Sequence, residues 1–254
     1  MDTKASDLAN VASTGPYDSL REFIAALESH GYLLRIPQID QDKYEATALA
    51  YRLVDRKGYN TAPAMLFERV KVDGEWMDGP VLGNPYGPWQ AEALGFGVET
   101  ITDDYIAMYR AAMEKIDSMC TRGIPKIDPN PIDRAASPCK ENVQLGDDVD
   151  ILKFPWLKTN PADGGRYINC GSVIIEDAEL GRNVGTYRCQ VKGPNKIGIN
   201  PEPFQHGWTM LMNAKKRGEK SVKAAVVIGA DPIVFAMSSS KVAGAGQDEL
   251  AIAG

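Results

Sequence analysis

An α/β domain followed by a strand-rich second domain is the fold class that the sequence predicts, on three observations. Helical and strand patterns alternate over about the first 120 residues, a proline-rich stretch without apolar period follows, and short β-branched or alternating runs then surround a single helical stretch. The domains are drawn at 1–120 and 139–254, with 121–138 as linker, where Pro125, Pro129, Pro131 and Pro138 fall. Mostly strands with one intervening helix fit a barrel or split barrel better than repeated βαβ units.

Taken in order, residues 1–16 are small and polar, break at Thr14-Gly15-Pro16, and read as a mobile lead-in. Ser19-Leu20-Arg21-Glu22 is a capping box opening a helix whose Leu20, Phe23, Ile24 and Leu27 share one face, and Gly31 closes it. His30, in the last turn, reads as a polar group at a helix C-terminus rather than a ligand. A strand at 32–36, a helix at 44–56 ending at Gly58, strands at 64–72 and 80–82 with Asp73-Gly74 as turn, and helices at 89–94 and 102–119 complete the first domain. In the second, strands are expected at 167–176, 183–192 and 222–229, and a helix from His206 to a closing Gly218. The apolar ending Leu250-Ala251-Ile252-Ala253 is expected to be a strand or loop with an unpaired edge, favouring self-association.

A net charge of −6 and a pI near 5.1 exclude a polyanion-binding surface, so no nucleic-acid role is indicated. The four cysteines lack CxxC spacing and read as reduced thiols. Met1-Asp2-Thr3-Lys4 has no signal-peptide character, and no apolar run approaches the roughly 20 residues of a membrane span, so the protein is read as soluble and cytoplasmic, without a membrane partner. Gly95-Phe96-Gly97 and Gly244-Ala245-Gly246 lack the third glycine of a dinucleotide fingerprint, and there is no P-loop. Asp147, Asp148 and Asp150 lack the glycine and terminal glutamate of an EF-hand and read as a solvated turn.

The chemistry lies in Asn183-Val184-Gly185-Thr186-Tyr187-Arg188, then Phe204-Gln205-His206, then Asp248-Glu249. An amide oxygen, an imidazole and a carboxylate, without a thiolate, favour Mn²⁺ or Mg²⁺ over structural zinc, and a helix opening at His206 offers its N-terminus to a phosphate. Singly, these residues have plain readings: a turn at Asn183-Val184-Gly185, an ion-paired strand arginine at Arg188, a cap at His206, a solvated charge at Glu249 and a flexible linker over 238–246.

Jointly, Asn-x-x-x-x-Arg, Gln-His and Asp-Glu-Leu-x-x-Ala-Gly resemble the UbiD-type decarboxylases that depend on prenylated FMN. Asp163-Gly164-Gly165-Arg166-Tyr167, Ile228-Gly229-Ala230-Asp231-Pro232 and Ser238-Ser239-Ser240 extend the resemblance over about 137–254. It implies a split flavin-binding barrel and a metal held by Asn183, His206 and Glu249 that bridges the cofactor phosphate. It implies cofactor contacts from Asn183, Thr186, Tyr187, Arg188, Gln205, His206, Ser239 and Ser240, with Arg188 as the catalytic group at the substrate carboxylate. The cofactors implied are prenylated FMN and Mn²⁺, with Mg²⁺ and K⁺ as further candidate ions. The partners implied are a small carboxylic acid substrate, a flavin prenyltransferase as cofactor source, and further copies of the full-length chain in a homo-oligomer.

The activity implied is non-oxidative, reversible decarboxylation of an aromatic or α,β-unsaturated acid. The alternatives are a flavin-binding domain without turnover and an FMN-dependent reductase of split-barrel fold. The family takes its proton donor from a stretch beyond the Glu-x-x-x-Ala-Gly motif, so the 254 residues are expected to be the first half of such an enzyme, inactive by themselves. Asn183 and Arg188 stand an odd number of residues apart and would face opposite ways on one regular strand, so Asn183 is placed on the preceding turn or Gly185 at a bulge.

Overall fold

The structure, a computed structural model, describes residues 14–254; positions 1–13 of the expected lead-in lie outside the described residues. It forms two compact units: residues up to 125 with 157–163 and 229–236, and residues 126–156 with 164–228 and 237–254.

In the first unit, α1 (Leu20–Ser29) starts where Ser19 Oγ accepts from the Glu22 N–H at 3.2 Å, while Glu22 returns to the Asp18 N–H, one residue before the cap. His30 ends the helix with Nδ1 2.9 Å from the Ala26 carbonyl, a local role. Strands β1 (Leu33–Ile36) and β2 (Ile39–Asp40) lie end to end, parallel to one edge of β3 (Ala64–Val72); α2 (Glu45–Lys57) is the crossover, and β4 (Glu75–Gly83) pairs antiparallel along the other edge. The hairpin runs longer than the 80–82 expected because Asp73 and Gly74 both take positive φ, 53° and 84°, the turn that matches strand twist.

Central β3 is covered on both faces, and its parity changes midway. Ala64 and Leu66 join Phe23, Leu27 and Leu94 on one side, Met65 and Phe67 join Ile39 and Ala46 on the other, yet Val70 and Val72 lie with the odd-numbered pair. The register slips between Phe67 and Arg69, and this bulge rotates the rest of the strand by one face. Opposite it, a Cβ on Gly79 would stand 2.6 Å from the Phe67 carbonyl, so only glycine fits. Helix α3 (Trp89–Gly95) packs against α4 (Tyr105–Met119), whose first turn is capped by Asp104. The two returning segments are tied in by Gln41 and Thr47 side chains on the Lys158 and Thr159 carbonyls, and by Tyr86, which stacks on Phe235 and donates to the Pro232 carbonyl at 3.1 Å.

The second unit holds two three-stranded antiparallel sheets. One has the order β10 (Ala224–Val227), β6 (Ser172–Asp177), β7 (Gly181–Thr186); the other β5 (Tyr167–Ile168), β8 (Cys189–Gly193), β9 (Lys196–Ile199). The strands expected at 167–176 and 183–192 are therefore each divided, because the chain changes sheet at 169–171 and again at Tyr187-Arg188. Val173, Ile175, Tyr187, Cys189 and Met210 of α5 (His206–Lys216) form the core; burial pushes the Cys189 thiol pKa up, which keeps it protonated and inert. Composition suggests a linker over 238–246, but Ser238 and Ser239 end a helix, α6 (Pro232–Ser239), whose first turn is capped by Asp231. The apolar ending is not the expected strand or loop: α7 (Glu249–Ala253) is helical because Asp248 Oδ1 caps the Leu250 N–H at 3.0 Å.

At the C-terminus of α5, Arg217 Nη2 donates to Asp177 Oδ2 at 2.5 Å and Nε to Glu219 at 2.6 Å. The guanidinium, helped by the Leu180 and Glu179 N–H groups and opposed by burial, holds the Asp177 carboxyl below its ordinary pKa. A depressed pKa contributes stability above the ordinary carboxylate range and loses it as pH falls through the folded-state value. Asp177→Asn is expected to lower the melting temperature by several degrees at pH 7, with a gap to the parent that closes below about pH 4, the ordinary aspartate range. Thermal melts across pH measure it.

Candidate functional site

The site is built on the edge strand β7. Antiparallel register sets Asn183 across from Ile175 and Gly185 across from Val173, so all four share the face that α5 covers. Between that face and the helix lies Tyr187. A Cβ at Gly185 would come within 2.7 Å of its hydroxyl and one at Gly207 within 2.6 Å, and the hydroxyl accepts from the Gly207 N–H at 3.1 Å. The ring is thus wedged between two glycines, and the wedge sets His206, the first residue of α5, against Asn183. Tyr187 is buried at 6% exposure, with its hydroxyl turned into this wedge.

His206 Nδ1 lies 3.1 Å from the Asn183 amide position and 3.9 Å from Glu249 Oε1, and that amide position is 3.2 Å from the same carboxylate oxygen. By its hydrogen-bond partners the amide fits best with its NH₂ toward the imidazole and carboxylate. Turned over, it presents an oxygen, and three lone-pair donors converge. Ligands roughly 2.1 Å from an octahedral centre stand about 3.0 Å apart, so the two edges at Asn183 fit one divalent ion and the third needs only a small closure. Among the described residues no three His, Cys, Asp or Glu side chains gather to hold a metal; the set depends on its amide.

Glu249 is almost completely buried. Burial pushes its carboxyl pKa up, opposed by the Val184 N–H, which donates to Oε2 at 2.8 Å. The preceding residue, Asp248, receives Arg182 Nε at 3.0 Å and Nη2 in a still closer bond.

Arg188 stands apart from this cluster in the connection between the two sheets, exposed, with its guanidinium 4.0 Å over the Tyr167 ring and Nε donating to Asn169 Oδ1 at 3.3 Å. The parity difficulty disappears, since Asn183 and Arg188 are not on one strand; neither a turn position for Asn183 nor a bulge at Gly185 is involved, and the β6–β7 register is regular. Thr186 belongs to a chain of hydroxyls: Ser172 to Ser238 at 2.9 Å, Ser238 to Thr186 at 3.0 Å, Thr186 to Ser239 at 3.1 Å. Gln205 precedes α5 and accepts from the Glu202 N–H at 2.7 Å, and Ser240 bonds the Met237 carbonyl at 3.0 Å, a helix-end role. Sequence reasoning missed Arg182, Asn169 and Ser172, while Asp248 and Tyr167 fell within the stretches it singled out but were given no role of their own. Only Asp248 carried a local signal, as a capping residue before an apolar run.

Comparison with known proteins supplies the class. Residues 24–108 match the 3-octaprenyl-4-hydroxybenzoate carboxy-lyase N-terminal domain and residues 130–254 the 3-octaprenyl-4-hydroxybenzoate carboxy-lyase Rift-related domain, so the chain belongs to the UbiD family. It is 32% identical over 246 residues to a phenolic acid decarboxylase of Sedimentibacter hydroxybenzoicus, covering 94% of this chain and 48% of the relative. The vanillic acid decarboxylase of that organism, in open form, is similar with a TM-score of 0.75 at 29% identity over 94% of this chain and 48% of the other. An evolved dimeric form of the UbiD-class enzyme HmfF from Pelotomaculum thermopropionicum, in complex with prFMN, gives 0.72 at 27% identity over 93% and 50%. The chain spans about half the length of these relatives.

Gly207→Ala is expected to destabilise the chain by about 1–3 kcal/mol through overpacking against Tyr187. Tyr187→Phe, which leaves the buried Gly207 N–H without its acceptor, is expected to cost a comparable ~1–3 kcal/mol. Urea unfolding of each variant measures both.

Proposed function

We propose that this chain is the flavin- and metal-binding portion of a non-oxidative, reversible decarboxylase acting on an aromatic or α,β-unsaturated carboxylic acid, with phenolic acids as the first candidates. The observation that carries the reading is the convergence of Asn183, His206 and Glu249 on one point in a chain of the UbiD family. The balanced reaction is R–COO⁻ + H⁺ → R–H + CO₂. Prenylated FMN, when bound, supplies the electron sink for the charge left as CO₂ departs.

Asn183, His206 and Glu249 would hold Mn²⁺, or Mg²⁺ in its place, and that ion would supply a positive charge for the cofactor phosphate. Thr186 ends the strand that carries Asn183 and bonds Ser239 at the end of α6, Gln205 immediately precedes His206, Ser240 follows Ser239, and K⁺ is a further ion for which hydroxyl oxygens are suited. Arg188 takes the substrate carboxylate from an exposed position over the Tyr167 ring. The two sheets of the second unit are read as the halves of a split barrel, and residues 139–254 as the flavin-binding domain following the 1–120 domain. The prenylated cofactor comes from a flavin prenyltransferase, and the full-length protein works as a cytoplasmic homo-oligomer. Among the described residues no helix is long and apolar enough to cross a membrane.

Absorbance and mass spectrometry of the purified chain test the cofactor: prenylated FMN supports the reading, whereas plain FMN with reductase activity replaces it. Glu249→Ala and Asn183→Ala, and to a smaller extent His206→Ala, are expected to lower Mn²⁺ and flavin retention with little change in folding, read by metal analysis and flavin absorbance. Full retention by all three variants overturns the ligand assignment.

Arg188→Ala is expected to spare flavin retention and abolish turnover of the full-length enzyme, with Arg188→Lys a poor rescue because lysine lacks the bidentate fork. Turnover by the lysine variant at the parent rate removes Arg188 from the carboxylate site.

A further inference from the structure

The geometry points to Arg182 and Asp248 as positioning residues: an ion-paired clasp across the open edge of β7 that sets the Glu249 carboxylate against Asn183. The inference rests on the metal-site reading above and adds to it what holds the third ligand.

Successive side chains on β7 face opposite ways, so Arg182, paired across the sheet with Glu176, stands on the face opposite Asn183. Helix α7 meets the strand at its edge, and its cap and first residue take the two sides: Asp248 goes to Arg182, and Glu249 goes to the Val184 N–H and the His206 imidazole. Both Asp248 oxygens are committed, Oδ2 to Nε and Nη2 of Arg182 and Oδ1 to the Leu250 N–H at 3.0 Å. Asp248 therefore acts on the site through the direction it gives Glu249, not as a ligand. A helix of five residues has no stability by itself, and its position must come from such anchors.

The Arg182 and Asp248 side chains are 38% and 27% exposed, so the pair contributes little to global stability, as is usual for solvent-accessible ion pairs. Its effect falls on the adjoining carboxylate. Glu249 is 4% exposed and would leave its buried place readily if α7 were not held, because burial without a cation disfavours its charge.

The test measures Mn²⁺ affinity of the 254-residue chain by electron paramagnetic resonance of the free ion, beside the melting temperature of the metal-free chain. Arg182→Met is expected to weaken Mn²⁺ binding about 10- to 100-fold, the range for residues that orient a ligand, with little change in melting temperature. Arg182→Lys should recover part of the loss. Asp248→Asn, which keeps a capping oxygen for α7, should weaken binding to a similar degree, and the Arg182→Met/Asp248→Asn double variant no further than either single one.

Parent affinity in the single variants, additive losses in the double, or losses that track melting temperature throughout would overturn the clasp. Glu249→Gln separates this from failure of the metal site. If it abolishes binding while Arg182→Met keeps it, the clasp alone falls; if it leaves affinity unchanged, or the parent chain binds no Mn²⁺, the ligand assignment falls and the clasp with it.

Discussion

The edge of β7 that no strand among the described residues covers is the constraint on which the candidate site depends. An edge strand presents backbone N–H groups with no neighbouring strand to take them, and in this chain the Glu249 carboxylate takes the one at Val184. That bond places an acidic side chain against the strand, one residue from Asn183, and so turns a structural need into a polar cluster. The strand itself could not close its edge this way, because its alternation sends neighbouring side chains to opposite faces. A short capped helix arriving from far along the sequence does so.

On the opposite side of the cluster the control is steric. Two glycines, Gly185 on the strand and Gly207 on the helix, leave room for one aromatic ring, and the hydroxyl of that ring accepts from the Gly207 N–H, at the second position of α5. The imidazole at the helix start is located by packing density more than by its own bonds. The carboxylate is located by hydrogen bonds and an ion pair. Three donor atoms from a strand, an 11-residue helix and a five-residue helix thus reach one point by two different kinds of force.

What was legible in the sequence follows the range of the forces involved. Ser19 as a cap, Gly31 and Gly58 as helix ends, and Asp73-Gly74 as a hairpin turn are effects within a few residues, and the structure has each of them. The cluster of Asn183, His206 and Glu249 was legible only through their joint order, since each has a commoner role taken singly. The division of two expected strands between separate sheets left no local mark, because a β-branched run reads alike whether or not the chain turns out of one sheet in its middle. The bulge in β3 was hidden for a related reason: Ala64 to Phe67 is apolar at every position, so it does not say which face Val70 and Val72 continue. Serines 238 and 239 read as linker, although an Asp-Pro start at 231–232 could have signalled the helix that they end. The role of Arg182 arises from a partner 66 positions later, a distance at which composition is silent.

The first unit takes in two short returns of chain, 157–163 and 229–236, and this bears on how the molecule can be dissected. Leu157 completes the apolar cluster around Phe67, and Phe235 lies on Tyr86, so these residues belong physically with elements that precede them by many tens of positions. A single cut after residue 125 divides this packing: the leading fragment loses two pieces of it, and the trailing fragment carries Leu157 and Phe235 away from the residues they pack on. Recombination at that point would transplant a fold with holes in it, whereas exchange of both halves together would preserve every layer.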